Sequence, residues 1–124
     1  MSAQRLFAVR GAVQVGANES AAILAGTEEL MQELIGRNGL TPEAMVSCLF
    51  TATNDLNAEF PAVAARNLGL DAVPLLCARE IDVPGAMQRV IRVMVHYRAA
   101  PGHSPSHTYL GATQNLRDDL RSAQ

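Results

Sequence analysis

Apolar residues dominate positions 5–15, RLFAVRGAVQV, in a run rich in Val, Phe and Leu that predicts a first strand. Arg10 interrupts it and Gly11 follows at once, the pattern of a bulge or of a backbone that another segment approaches closely. The period then changes. Ile23, Thr27, Leu30, Met31, Leu34 and Ile35 recur at helical spacing, predicting a helix over about 19–37 with Asn18 as its cap, Glu19 in its first turn and Asn38-Gly39 as its stop. Thr41-Pro42-Glu43 starts a second turn of helix. That turn must be short, because MVSCLFTAT at 45–53 reads as a buried strand. A polar connection, 54–60, leads to Pro61 and a short Ala-rich helix, 61–68, ended by Gly69. Strands are expected at 73–80 and 89–97, separated by a turn at Val83-Pro84-Gly85. A loop covers 99–105, a short fifth strand 107–110, and a polar tail 116–124.

The order β, long α, β, short α, β, β, β fits one domain over residues 1–124. Its fold class is α+β or α/β, a mixed sheet with helices on one face. The first two strands flank the long helix and suggest a right-handed crossover. One long helix covers little more than one face of a small sheet, so the apolar positions of the remaining strands call for burial against other copies of the chain.

Charge narrows the function. The net charge is -2, charged residues are 18% of the chain, and the basic side chains are scattered, which argues against a nucleic-acid surface. All ten Lys-plus-Arg residues are Arg, whose planar fork suits carboxylates. Cys48 and Cys77 do not make a disulfide framework. The first ten residues lack a signal-peptide core, and no apolar run approaches the roughly 20 residues of a membrane helix. A reduced, cytoplasmic protein without membrane contact is expected. His96, His103 and His107 have neither metal-ligand spacing nor carboxylate partners in sequence, and read as surface or loop residues. No P-loop, GxGxxG or nucleophile elbow is present.

Arg92 is the most informative residue. It lies between Ile91 and Val93 in a bulky apolar strand, where an unpaired guanidinium would be costly. It faces water, an internal carboxylate or an anionic ligand. Arg10 is a similar lone charge beside a Gly. Glu80 closes the third strand, three residues after Cys77, so a regular strand would put the two on opposite faces unless it ends or bulges near Arg79. Tyr109 lies in a late polar stretch where a phenol either donates to an anion or packs.

Five segments in order resemble the AroH-class chorismate mutases: RGAVQV with Arg10, FPAVAAR at 60–66, VPLLCAREIDVPG at 73–85, VIRVM at 90–94, and HTYL with LRDDL at 107–120. The resemblance implies a homotrimeric pseudo-α/β barrel with active sites between subunits, no cofactor and no metal. It puts Arg10, Glu80, Arg92 and Tyr109 on substrate-contacting positions, and Leu76, Cys77, Ala78 and Arg79 on the pocket-lining segment. Phe60, Ala62, Val63 and Arg66 fall on the wall given by the adjacent chain, and Leu116 and Arg117 on a tail near the site. The sequence departs from the family pattern at Val63, often charged there, at Leu76, often Thr, at Ser106, Arg in some members, and at Asp118, commonly Pro.

The reaction so implied is the Claisen rearrangement of chorismate to prephenate, in phenylalanine and tyrosine biosynthesis. It is pericyclic, so no proton moves and no covalent intermediate forms. A protein can accelerate it by holding the compact conformer and by stabilising negative charge that grows on the ether oxygen. On this reading Arg92 donates to the ether oxygen and Arg10 holds a carboxylate through its fork. Glu80 accepts the ring hydroxyl and helps position Arg92. Tyr109 donates to a carboxylate, and Cys77 bonds the hydroxyl weakly or only shapes the wall. Two competing readings are an enamine/imine deaminase of the RidA type, on a similar trimeric fold, and a non-catalytic trimer that binds a small acid.

Overall fold

Strand β1 (Arg5–Gln14) leads into helix α1 (Ser20–Asn38), followed by β2 (Met45–Ala52), helix α2 (Pro61–Asn67), β3 (Leu75–Arg79), β4 (Val90–Ala99) and β5 (Thr108–Tyr109) in the computed structural model, which describes residues 3–116. The strands form one mixed sheet in the order β3-β2-β4-β1-β5. β4 is antiparallel to both β1 and β2, while β3 and β5 run parallel to β2 and β1. β1 and β2 are therefore parallel to each other, as the crossover through α1 requires, but β4 is inserted between them.

The alternation of the strands decides which residues meet the helices. Val9 and Val13 of β1, Cys48 and Phe50 of β2, and Ile91, Val93, Val95 and Tyr97 of β4 pack in one core with Ile23, Leu30, Met31 and Leu34 of α1 and with Ala62 and Ala65 of α2. Both helices thus cover the same face. The other face carries Leu6, Leu49 and Leu76, and neither α1 nor α2 covers it; Leu6 and Leu76 are 58% and 61% exposed, while Ala12 at one end is buried under Tyr109 and Leu116.

Helix α1 begins one residue later than its pattern suggests. Asn18 does not cap it: its carbonyl oxygen accepts the N–H groups of Asn57 and Ala58, and Glu19, not in the first turn, takes the capping position with no side-chain bond. A long-range tie to the polar connection wins over a local cap, because Asn can satisfy either set of amide donors but not both. At the other end Gly39 adopts the left-handed conformation, φ 61°, and its N–H bonds to Gly36 while that of Leu40 bonds to Ile35. Asn38 does more than stop the helix. Its carboxamide accepts from Ser106 N–H at 2.8 Å and donates to Ser106 O at 3.0 Å, tying α1 to the segment that leads into β5.

The Thr41–Glu43 turn is a single 3-10 turn over Pro42–Ala44, as brief as the adjoining strand demands. β3 is shorter than the apolar run that predicted it, starting after Pro74 and ending at Arg79. β4 starts after Arg89, which holds a left-handed φ of 53°. This strained backbone is held by the Asp55 carboxylate, which accepts the Arg89 N–H with both oxygens at 3.0 and 3.2 Å.

The three His residues are half-buried and bonded, not surface side chains. His96 pairs with Ser47, His103 with the buried Tyr97 hydroxyl at 2.6 Å, and His107 Nδ1 accepts the backbone N–H of Arg10 at 3.0 Å. Among the described residues no three His, Cys, Asp or Glu side chains converge, and no helix is long and apolar enough to cross a membrane.

Candidate active site

The uncovered sheet face is where charge appears. Parity alone puts Arg10 there, because Val9, Gly11 and Val13 face α1, and it puts Arg92 there, because Ile91, Val93 and Val95 face the core. The register brings the two strands together: Arg10 lies opposite Met94, and Arg92 lies opposite Ala12 on one side and Thr51 on the other. Tyr109 arrives on β5, which pairs with β1 at Gly11↔Thr108 and Ala12↔Tyr109. Gly11 makes this approach possible, since a Cβ there would lie 2.7 Å from the Thr108 carbonyl oxygen.

Glu80 enters from the far side. β3 ends one residue before it, and its N–H makes the last ladder bond, to Ala52 O at 3.0 Å. The end of the strand frees its side chain to swing over β2 and reach β4. Glu80 Oε1 lies 2.8 Å from Arg92 Nε, and Glu80 Oε2 accepts from the Thr51 hydroxyl at 2.9 Å. The Arg92 contact is an ion pair by distance only. Its Nε–H is buried and does not point along the contact, so it makes no directed hydrogen bond.

Arg10, Glu80, Arg92 and Tyr109 thus line one cleft of about 330 Å³, with Gly11, Leu49, Thr51 and Met94 among its walls. The volume falls at the small end of small-molecule pockets, roughly 300–1,000 Å³. The cleft holds two guanidinium groups and one carboxylate. Arg10 is paired with no carboxylate among the described residues, and the Arg92 side chain remains 42% exposed. The excess positive charge and the unused Arg donors suit a small anion bearing carboxylates.

The other residues singled out in the sequence gather elsewhere. Phe60, Ala62, Arg66, Leu76 and Cys77 line a second hollow of about 380 Å³, together with Asp71 and Val73. Phe60, Cys77, Ala78 and Arg79 also edge a third, of about 350 Å³. Phe60 is 67% exposed, Val63 is half-buried on α2, and Ala62 packs into the core. Cys77 packs against the same core, opposite Phe50, so within one chain its thiol does not join the Arg92 cleft. Leu116 packs on the small cluster of Ala12, Val90 and Tyr109 beside the cleft. Arg117 and Asp118 lie outside the described residues.

Leu49, Thr51 and Met94 were not foreseen as part of the site. Strand parity places each on the same face as Arg92 and puts Met94, two residues along β4, directly beside it; Leu49 and Thr51 reach Arg92 only because β2 pairs with β4.

Comparison with known proteins agrees across the chain. A family profile described as chorismate mutase type I matches residues 6–120. The chain is 42% identical over 118 residues to chorismate mutase AroH of Thermus thermophilus, covering 94% of this chain and 97% of that protein. It is 40% identical over 114 residues to chorismate mutase AroH of Bacillus subtilis (strain 168), covering 90% of each. Among solved structures, a chorismate mutase from Clostridium thermocellum superposes with a TM-score of 0.84 at 41% identity, covering 89% of this chain and 99% of that one.

Proposed function

The chain belongs to the type I chorismate mutase family, and on that premise we propose that the Arg10–Glu80–Arg92–Tyr109 cleft is its active site, completed by a wall from a second copy of the chain. The protein is an isomerase of chorismate, which it rearranges to prephenate. The observation that carries the site assignment is the meeting of two guanidinium groups and one carboxylate in a single small cleft.

The chemistry asks for little else. Chorismate brings two carboxylates, a ring hydroxyl and an enol ether, and its rearrangement needs the two reacting ends held together. Arg10, paired with no carboxylate among the described residues, holds one substrate carboxylate, and Tyr109 donates from the adjacent strand. Arg92 faces the ether oxygen. As the C–O bond lengthens, negative charge grows there, and a fixed cation stabilises the transition state more than the ground state. Glu80 keeps Arg92 in place and accepts the ring hydroxyl.

The second half of the site is supplied in trans. Phe60 and Leu76 are large apolar side chains left exposed in a hollow that also holds Arg66, separate from the Arg92 cleft. The exposed Leu6, Leu49 and Leu76 on the sheet face away from α1 and α2 likewise need cover. A closed homotrimer meets both needs by setting the Phe60 hollow of one subunit against the Arg92 cleft of the next.

Mixed assemblies test this reading. Arg92→Ala removes the ether-oxygen donor, and Phe60→Asp puts a carboxylate where it repels a dianionic substrate. Each variant alone should be nearly inactive on chorismate. Co-expressed, they should form trimers in which some sites contain no substitution, and a substantial minority of activity should return. Mixed trimers verified by native mass spectrometry that regain no activity would place the whole site within one chain.

A further inference from the structure

We propose that Thr51 is the positioning residue of this site: its hydroxyl fixes the Glu80 carboxylate in the orientation that holds Arg92. The inference rests on the assignment of the Arg92 cleft as the active site.

The need for such a residue follows from where Glu80 lies. β3 has ended at Arg79 and the last ladder bond holds only the Glu80 backbone N–H, so nothing in the strand fixes its side chain, which has three rotatable bonds. Arg92 cannot fix it alone, because its buried Nε–H is not directed at Oε1 although the atoms are 2.8 Å apart. The directed bond on Glu80 is the one from Thr51, at 2.9 Å to Oε2.

Thr51 is placed to make it. It lies on β2 between the two strands concerned, directly opposite Arg92 on β4 and opposite Ala78 on β3, two residues before Glu80. Each Glu80 oxygen is therefore held from a different strand. The Glu80 side chain is only 16% exposed, so water competes weakly for the Thr51 hydroxyl. A carboxylate held in this way confines the Arg92 guanidinium by charge while leaving the N–H groups of its exposed end for a ligand. Such supporting bonds matter because a site loosened by a fraction of an ångström loses rate.

The test separates hydroxyl from packing. Thr51→Val keeps the β-branched shape and removes the donor. It should lower kcat for chorismate about tenfold, with a smaller change in KM, since the group it positions acts in the transition state. Thr51→Ser restores the donor and should stay within about twofold of wild type. In a Glu80→Ala background Thr51→Val should cost nothing further, because the residue through which it acts is gone. Thr51→Ala against Thr51→Ser makes the same comparison if the Val variant fails to melt cooperatively by circular dichroism. A Thr51→Val or Thr51→Ala protein at the wild-type rate would overturn the proposal. So would Thr51→Ser as impaired as they are, or an undiminished Thr51→Val effect in Glu80→Ala. A wild-type protein silent on chorismate would instead remove the active-site reading itself.

Discussion

Replacing Gly11 by Ala adds one methyl group at a crowded point between the core and the site. An ideal Cβ there meets Thr108 O at 2.7 Å, Leu30 Cδ1 at 3.0 Å and Leu34 Cδ1 at 3.3 Å. The leucine methyl groups can turn aside. The Thr108 carbonyl is backbone paired with β1, so it can yield only if β5 itself moves away from Gly11 and Ala12. Two effects oppose each other. Ala should gain about 0.5–1 kcal/mol over Gly in a strand interior, and overpacking against backbone costs about 1–3 kcal/mol. The clash wins, leaving a net loss of about 1–2 kcal/mol. For a chain of this length each kcal/mol lowers Tm by about 4 °C, so a fall of about 4–8 °C is expected at fixed protein concentration. Function should suffer with stability. Pushing β5 outward shifts Tyr109 relative to Arg10, and kcat/KM on chorismate should fall by about ten- to a hundredfold at temperatures where the variant is fully folded. Gly36→Ala in α1 is the control, since nothing lies within 4 Å of its Cβ. It should raise stability by about 0.5–1 kcal/mol. A Gly11→Ala protein that melts with wild type and keeps its kcat/KM would refute the reasoning.

Arg92→Ala should reduce kcat by about 10²-fold or more, the scale of a lost transition-state donor, and Arg92→Lys should recover little because a point charge does not reproduce the fork; near-wild-type turnover in Arg92→Ala would contradict the role given to it. Conversion of chorismate to prephenate, followed by the loss of chorismate absorbance, should proceed undiminished in EDTA-treated buffer, and a requirement for a divalent ion would sink the mechanism. Burial, with a smaller contribution from neighbouring Cys77, pushes the Cys48 thiol from 9.0 up to about 12. Cys48 should therefore resist thiol reagents at pH 8 until the protein unfolds, as read by mass spectrometry. Because its folded value lies above the unfolded one, the stability it contributes is intact below about pH 9 and is lost as pH rises toward 12.

The hydrophobic pattern by itself determined most elements of this protein, since period and punctuation are local. The run from Ile23 to Leu34 could bury one face only as a helix, Asn38-Gly39 could only end it, and Arg10 and Arg92 could not be buried unpaired. The five ordered segments carried the family, which the comparisons show. Element ends were less legible. Asn18 left the helix cap for a partner 39 residues away, and His96, His103 and His107 found partners that no spacing announced. Tertiary structure alone brought Arg10, Glu80, Arg92 and Tyr109 into one cleft. Inserting β4 between β1 and β2 set Arg92 opposite Thr51 and Ala12, and the end of β3 let Glu80 cross β2. Strand parity tells which face a side chain takes, but not which strand lies beside it. That choice belongs to the sheet order, which joins residues 27 to 97 positions apart, and so Thr51 entered the site unannounced while Arg92 did not.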